Sequence, residues 1–352
     1  MSMTLQPLPV KRVNQQRMRG RRPRLLCACM TYDYGRPERG FGYEYYNFLP
    51  TFERMPLDVR QFDFVAAVLE LGYWGAAAEL RKLVSDWDPD VLICFMYQEQ
   101  LSREVVRWVS AETETTTVAW FSDDHWRFDN YSRHWANAFN WVLTTDECAV
   151  DKYRALGQQG VIRTQWGCNE LLYRPAGQPI QFDVTFVGAA YGRRRSIIDC
   201  LVRHEISVSS WGAGWPQGRL SQIEMIEVFS TSRVNLNLSA SSRQRRWRRS
   251  DERDLQIKGR AFEVPSCGGL LLTDAAPKLE EYFIPDREIV VFHGTDDLIV
   301  KTQLLLANEH RRSAIANAGY ERTMRDHTYL SRMSSIFAEI GLLPASPGMR
   351  NG

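Results

Sequence analysis

The segment from Gln256 to Asp274, QIKGRAFEVPSCGGLLLTD, combines residue types that together suit a phosphorylated ligand. Two cations, Lys258 and Arg260, and one carboxylate, Glu263, precede a Cys-Gly-Gly turn and an apolar run. Cations can hold a diphosphate, a carboxylate can accept from two ribose hydroxyls, and glycine lets backbone N–H groups approach phosphate oxygens. The segment therefore predicts a nucleotide-sugar site. The alternative is a local salt bridge, in which Lys258 or Arg260 pairs with Glu263 across one helical turn.

Three other loops in the same half of the chain follow predicted strands. In an open parallel sheet the ligand lies at the carboxyl ends of the strands, so these loops belong to the same predicted edge. They read AAYGRRR after Gly188, GAGWP after Trp211, and NLNLSASS from Asn235. Arginines at a helix start add to the helix dipole in attracting an anion, and the G-x-G turn suits close approach to a flat base. Taken singly, each also fits a plain structural reading: an exposed helix start, a surface turn, or a core strand with a solvated loop.

The four loops together predict a surface that binds the nucleotide-sugar, which is the sugar donor. Its residues are Gly188, Tyr191, Arg193, Arg194, Gly212, Gly214, Trp215, Asn237, Lys258, Arg260, Glu263, Gly268 and Gly269.

Acid–base residues follow a predicted strand in the first half of the chain. If the sugar of the bound nucleotide-sugar is transferred to an acceptor hydroxyl with inversion of configuration, a general base must lie within reach of that hydroxyl. Suitable side chains are those of Asp123, Asp124 and His125. The alternative is that Asp123 or Asp124 caps the helix that follows. The predicted catalytic residues are Asp124, His125, Lys258 and Arg260.

The loop after the first predicted strand, TYDYGRPERGFGYEYYNFL, combines glycines with tyrosine and arginine side chains. It predicts a loop that faces an acceptor and enters a helix near Tyr43, although the tyrosines equally suit a helix core. The predicted acceptor-side residues are Asp33, Gly40, Gly42, Tyr43 and Asp123.

A block of arginines around Trp247 fills the segment from Ser241 to Asp254, SSRQRRWRRSDERD. Such a segment can close over a bound nucleotide, or present charge to an acidic acceptor such as a phosphate-rich glycan, a membrane surface or nucleic acid. A solvated surface loop is an equally good interpretation, and nucleic acid is the less favoured partner.

Short apolar runs alternate with amphipathic stretches along the chain, which is typical of parallel sheets covered by helices. The predicted fold class is α/β, with two tandem Rossmann-like domains facing a cleft. We expect a basic N-terminus over 1–22, an acceptor domain over 23–175, a donor domain over 176–328, and a C-terminal helix and tail over 329–352 that can cross back to the first domain. The predicted strands lie near Leu25–Met30, Val59–Phe64, Val91–Met96, Thr117–Phe121, Trp141–Thr144, Val184–Gly188, Val208–Trp211, Val234–Leu238, Leu270–Thr273 and Ile289–Phe292. Helices are predicted near Asp296–Ala307, Arg311–Arg325 and Leu330–Ile340.

Composition excludes several classes of protein. The 352 residues are 44% hydrophobic and 24% charged, with a formal net charge of +2, as in a globular chain. No apolar run is long enough to span a bilayer, which favours a cytoplasmic protein and leaves open a peripheral position at the inner membrane surface. The seven cysteines are odd in number and lack C-x-x-C spacing, so neither a disulfide framework nor a zinc site is expected. We expect no metal and no cofactor. The oligomeric state is not indicated.

Several motifs also carry a family resemblance. VTFVG, WGAGWP, VNLNLS, KGRAFEVPSCGGLLLTD, EEYFIPDREIVVF and AGYERTMRDHTYLSRM follow one another in the second half. In this order, the segment from Phe182 to about Phe337 resembles the C-terminal domain of glycosyltransferases related to the spore-maturation protein CgeB. The run WFSDDHWRFDNYSRHW, from Trp120 to Trp135, is similar to the matching part of that family's first domain. The resemblance implies the GT-B fold, with the sugar nucleotide on the second domain and the acceptor mostly on the first.

The resemblance also implies roles for individual residues. Glu263 matches the carboxylate that related enzymes use on the donor ribose, and Lys258 and Arg260 match the region that supplies positive charge to the diphosphate. The glycine pair, Gly268 and Gly269, matches a turn near the phosphates, and Gly212 with Gly214 matches a turn near the base. The larger retaining group has a second glutamate where this chain has Leu255, so the stereochemical course stays open.

The sequence thus predicts a metal-independent glycosyltransferase that takes a nucleoside-diphosphate-sugar, with UDP the favoured nucleotide. The acceptor is unidentified: a glycan, a lipid carrier or a glycoconjugate. Two other classes are kept as alternatives, a GT-B epimerase of nucleotide-sugars and a non-catalytic protein that binds them.

Overall fold

The computed structural model describes residues 6–240 and 255–344, which form two compact units. One unit contains the described residues up to Gln165 together with those from Tyr329 onward, and the other runs from Trp166 to Thr328. The division precedes residue 175 because the intervening segment packs into the second unit. There the Cys168 N–H donates to the His327 carbonyl at 3.1 Å, and Tyr173 lies in the core beside Phe262.

In the described part of the first unit, six parallel strands form one sheet in the order β2-β1-β3-β4-β5-β6. The strands are β1 Arg24–Ala28, β2 Asp58–Phe62, β3 Val91–Phe95, β4 Thr116–Phe121, β5 Trp141–Thr144 and β6 Val161–Arg163. The helices between and around them are α1 Tyr43–Asn47, α2 Leu49–Glu53, α3 Phe64–Trp87, α4 Arg103–Glu112, α5 Asp124–Arg127, α6 Arg133–Trp135 and α7 Glu147–Ala155.

Five parallel strands make the sheet of the second unit's described residues, in the order β11-β10-β9-β7-β8. They are β7 Phe182–Val187, β8 Val208–Trp211, β9 Ser232–Asn237, β10 Leu271–Asp274 and β11 Val290–Phe292. The accompanying helices are α8 Arg194–Arg203, α9 Gln222–Ser230, α10 Arg260–Ser266, α11 Gly294–Ala307 and α12 Glu309–Asp326. The last helix, α13 Tyr329–Glu339, belongs to the first unit.

Burial and capping explain why these segments form these elements. Every residue of β3 and β4 is buried, as expected for parallel strands covered on both faces. Polar side chains cap the first turns of two helices: Asp63 accepts from two backbone N–H groups of α3, and Ser221 with Glu224 forms a capping box at α9. The ten predicted strands and the three predicted C-terminal helices are all present.

In each sheet the first strand in sequence lies inside the sheet, and the order of the later strands runs outward from it in both directions. In the second unit β7 lies between β8 and β9, so the chain leaves β7 and β9 in opposite directions across the sheet. Such a switch point leaves a crevice at the carboxyl ends of the two strands, where ligands of parallel sheets bind. The loops that follow β7 and β9 therefore frame the candidate site.

No helix within the described ranges is both long and apolar enough to cross a bilayer. The arginine-rich segment from Ser241 to Asp254 lies outside the described residues, so its predicted roles over the nucleotide or towards an acidic acceptor stay predictions.

Candidate functional site

The start of α10 brings the predicted cations to the switch point of the second sheet. Arg260 is the first residue of α10, and its Nε donates to the carbonyl of Val187 at the end of β7, at 3.4 Å. Lys258, two residues earlier, donates from Nζ to the Gln256 side chain at 2.7 Å. Both side chains are half-buried. Two cations thus lie beside the crevice where a ligand of this sheet is expected.

Glu263 lies one turn further along α10 and is fully buried, with 0% of its surface exposed. Its Oε2 accepts from Arg260 Nη1, and its Oε1 accepts from the Tyr173 hydroxyl at 3.1 Å. The structure therefore contains the local salt bridge that was the alternative for this segment. In this arrangement Glu263 fixes the orientation of Arg260, and a bond from Glu263 to a ribose stays a prediction.

Arg194 joins the loop after β7 to the loop after β9. Only 8% of Arg194 is exposed; its Nη1 donates to the Ala189 carbonyl at 3.0 Å and its Nη2 to the Leu238 carbonyl at 2.7 Å. Its guanidinium lies 3.9 Å from the centre of the Tyr191 ring. Burial lowers the pKa of the Arg194 guanidinium from its usual value. Arg193, by contrast, precedes α8 on the surface.

The turn after β8 packs against the loop after β7. Gly212 has a φ of 131°, and a Cβ there would lie 2.4 Å from the Gly188 carbonyl oxygen, so only glycine fits. Trp215 Nε1 donates to that same oxygen at 2.8 Å, and the indole ring packs edge-on against Phe186. Arg195 donates to the Gly214 carbonyl. This turn supports the loop after β7, and its predicted approach to a base stays a prediction.

Two other parts of the predicted donor surface make structural contacts of their own. Asn237 is buried within the sheet and donates to Thr273 Oγ1 at 2.9 Å, so its amide is used between strands. The placement of Gly268 and Gly269 near the phosphates is wrong. They end α10 and lead into the amino end of β10, at the opposite edge of the sheet from the switch point. A Cβ on Gly269 would lie 2.5 Å from the Phe229 carbonyl oxygen, which accounts for glycine by packing.

In the first unit, one of the predicted acid–base residues is fully buried and the other two are half-buried. Asp124 is 1% exposed, and its Oδ2 accepts from Thr144 Oγ1 at 2.7 Å and from the Tyr153 hydroxyl at 2.8 Å. Burial raises the pKa of Asp124 to about 6. Asp123 and His125 are half-buried, and Asp123 stands at the N-cap position of α5 without a side-chain capping bond. Asp124 therefore has a core environment that does not suit the predicted base.

We expect Asp124 to make the free energy of unfolding fall as pH rises. Its pKa is higher in the folded protein (about 6) than its ordinary value of 3.8, so the folded state binds the proton more tightly. The difference corresponds to about 3 kcal/mol, fully present below pH 4 and lost as pH rises through 6. Urea unfolding of wild type and Asp124→Asn at a series of pH values should show this loss in wild type alone. Asp123→Asn is the matched control, and parallel pH profiles for wild type and Asp124→Asn would contradict the assignment.

The predicted acceptor loop is a closed turn at the carboxyl end of β1. Tyr32 and Phe41 form a β-bridge, the Asp33 N–H donates to the Gly40 carbonyl at 2.9 Å, and the Gly42 N–H donates to the Thr31 carbonyl at 2.8 Å. The Tyr43 hydroxyl lies 2.8 Å from that of Tyr329, within the same unit. The loop is thus built largely from its own backbone bonds, and its acceptor role stays a prediction.

Asp274, at the end of β10, is a site residue that the sequence analysis missed. Both oxygens of its carboxylate accept from the Ser239 N–H, at 2.8 and 3.0 Å, next to the loop after β9. The rule that polar residues follow strands would have found it, because it directly follows the apolar run LLLT. Over residues 6–240 and 255–344, no three His, Cys, Asp or Glu side chains are grouped to hold a metal ion.

The sequence of this region matches a known family. Residues 193–338 match the model of a family described as glycosyl transferase-like. A search of curated protein sequences finds no match.

Solved structures share a fold with about nine-tenths of this chain. Sucrose-phosphate synthase from Thermosynechococcus elongatus is 11% identical, with a TM-score of 0.63 over 91% of this chain and 99% of its own. HepE from Anabaena, solved with UDP, is 11% identical, with a TM-score of 0.59 over 91% of this chain and 100% of its own. A Listeria monocytogenes protein assigned as a UDP-N-acetylglucosamine 2-epimerase is 10% identical, with a TM-score of 0.53 over 92% of this chain and 98% of its own. The predicted fold class is confirmed: two parallel-sheet α/β units, as in GT-B glycosyltransferases.

Proposed function

We propose that this protein is a glycosyltransferase that takes its sugar from a nucleoside-diphosphate-sugar bound by the second unit. The observation that carries the proposal is the position of Arg260. It lies at the switch point between β7 and β9, held by a buried carboxylate, with Lys258 two residues away. The glycosyl transferase-like match over residues 193–338 covers this site and supports the class of reaction.

Arg260 and Lys258 act on the leaving group. When an acceptor hydroxyl attacks the anomeric carbon, the bond from that carbon to the diphosphate oxygen breaks, and negative charge develops on the diphosphate. Fixed cations stabilise such a transition state more than the ground state, because the charge that they meet grows as the bond breaks. The pairing of Arg260 with Glu263 keeps the guanidinium oriented before the substrate arrives, which limits reorganisation during the reaction.

UDP is the nucleotide that we propose for the donor. HepE was solved with UDP and with UDP-glucose, and the fold of HepE is shared along 91% of this chain. The acceptor is a hydroxyl of a glycan, a lipid carrier or a glycoconjugate, with nucleic acid less favoured. His125 and Asp123 stay candidates for the base that takes its proton. The CgeB-like subfamily, a cytoplasmic location and independence of metal are parts of the same proposal.

A turnover assay tests the reaction class. Purified protein is incubated with a panel of UDP-hexoses, with and without a pool of glycan and lipid-linked acceptors, and both UDP release and the sugar product are measured. Transfer predicts UDP release that rises with acceptor. An isomerised nucleotide-sugar formed without acceptor would identify an epimerase instead, the activity assigned to the Listeria protein of the same fold. Binding without release or isomerisation would identify a non-catalytic protein.

A further inference from the structure

Tyr173 lies in the segment that opens the second unit, ahead of β7. Only 1% of its surface is exposed, and its ring packs in the apolar core that contains Phe262 of α10. The hydroxyl of a buried tyrosine usually has a hydrogen-bond partner. Here it donates to Oε1 of Glu263 at 3.1 Å, while Oε2 of the same carboxylate accepts from Arg260. One buried carboxylate therefore joins Tyr173 to the cation at the switch point.

The backbone around Tyr173 is held by a turn. The N–H groups of Leu172 and Tyr173 both donate to the Asn169 carbonyl, at 3.0 and 2.9 Å. The Asn169 side chain accepts from the Leu171 N–H at 3.1 Å, which closes an Asx turn. Because the turn is built from the chain's own hydrogen bonds, the tyrosine hydroxyl is in place before any substrate binds.

The hydroxyl of Tyr173 determines which way the Glu263 carboxylate faces. The last torsion of a glutamate side chain has only broad preferences, so the carboxylate rotates unless its oxygens are held. With Oε1 held by Tyr173, Oε2 is directed at Arg260. Without the hydroxyl, both oxygens are able to turn towards the guanidinium and accept from it as a fork. Such a fork would compete with the bond from Arg260 Nε to the Val187 carbonyl, which places Arg260 at the end of β7.

The same hydrogen bond leaves more of the charge of Arg260 for a substrate. A carboxylate that accepts from a hydroxyl shares part of its negative charge with that donor, and the effect is larger in the interior, where the dielectric constant is low. Glu263 is fully buried, whereas 29% of the Arg260 side chain is exposed. The guanidinium is thus held from the interior while part of it stays accessible to an anion.

We propose that Tyr173 is a positioning residue for the transfer reaction: acting through Glu263, its hydroxyl orients the Arg260 guanidinium towards the diphosphate of the donor. The inference rests on the proposed function, because it takes Arg260 to meet the charge that develops on the leaving diphosphate. The ring of Tyr173 supplies packing, and the hydroxyl supplies the effect on the reaction.

Steady-state UDP release by Tyr173→Phe tests the inference, because the substitution removes the hydroxyl and keeps the ring that packs in the core. We expect kcat to fall by about 10-fold, which is the loss that one hydrogen bond to a charged group explains. The KM for the donor should stay within about twofold of wild type, since the lost interaction matters mainly as charge develops.

Tyr73→Phe is the matched control for Tyr173→Phe. It removes a tyrosine hydroxyl of the first unit that donates to the Leu101 carbonyl at 3.2 Å. We expect kcat and KM of this variant to equal those of wild type, because the bond lies outside the second unit, where the proposed relay is located.

A second measurement separates the proposed role from a purely structural one. Tyr173→Phe is combined with Arg260→Ala, and kcat/KM is compared with that of Arg260→Ala alone. If Tyr173 acts through Arg260, the added substitution has no further effect, because the group that it orients is absent. An equal loss from Tyr173→Phe in both backgrounds would show a structural role and overturn the inference.

Two other results bear on the inference. A Tyr173→Phe enzyme with the kcat of wild type, beside an Arg260→Ala enzyme that has lost most of its activity, would overturn the inference and leave the proposed function standing. Unchanged kcat/KM in Arg260→Ala, or no UDP release by wild type from any donor, would remove both.

Discussion

Replacing Arg260 with alanine is expected to lower kcat/KM for sugar transfer by about 100- to 1,000-fold. Removing a fixed donor that faces developing negative charge lowers the rate by this factor, because the transition state loses its stabilisation. Arg260 meets the structural requirement, because Glu263 and the Val187 carbonyl both hold its guanidinium at the end of β7. The measurement is steady-state UDP release with the best donor and acceptor pair found in the turnover assay.

The control for Arg260→Ala is Arg233→Ala. Arg233 lies in the same unit and pairs with Asp183 at 2.7 Å, but the side chains of Arg233 and Asp183 are both exposed, at 45% and 40%. We expect Arg233→Ala to leave kcat/KM within about twofold of wild type. An equal loss in both variants, or an Arg260→Ala enzyme with unchanged kcat/KM, would contradict the role of Arg260.

Glu263→Ala is expected to lower the free energy of unfolding by about 3–5 kcal/mol. The carboxylate is fully buried, and its removal deletes the hydrogen bonds that it accepts from the Arg260 guanidinium and the Tyr173 hydroxyl. Removing the buried partner of an ion pair costs about this much because the bonds that it made in the interior are lost. Urea unfolding followed by circular dichroism measures the loss at neutral pH.

Asp183→Ala supplies the matched comparison for Glu263→Ala. It breaks the exposed pair with Arg233, for which we expect about 1 kcal/mol or less. Glu263→Gln should lie between the two, because an amide oxygen can still accept from Tyr173. If Glu263→Ala were no more destabilising than Asp183→Ala, the buried pair would not organise the site as described.

Much of the fold could be predicted from the sequence because its signals are local. Apolar runs such as Val91–Met96 and Thr117–Phe121 are read directly as buried strands, and the structure has β3 and β4 there. The strand β6, Val161–Arg163, was not predicted because three residues are too few to show a pattern of hydrophobic residues. The division between the units was placed too late because the segment around Tyr173 reads as a linker. Its packing on Phe262 depends on residues far along the chain.

The site was harder to predict because its contacts are long-range. The sequence identified Lys258, Arg260 and Glu263 as a group, and it also identified the ion pair as an alternative. It could not show that Glu263 would be buried against Tyr173, ninety positions away. The glycine pair after α10 was assigned to the wrong edge of the sheet, since a Cys-Gly-Gly turn looks the same at either end of a helix. The proximity of Asp274 to Arg194 and to the loop after β9 depends on the tertiary fold, which the sequence does not show.

Calorimetric titration of UDP-glucose into wild type and into the double variant Lys258→Ala/Arg260→Ala tests the central claim most directly. The account predicts saturable binding to wild type and a loss of at least about 100-fold in affinity in the double variant, because two cations at the diphosphate are removed. Binding of equal strength to both proteins, or no binding of any UDP-sugar to wild type, would contradict it.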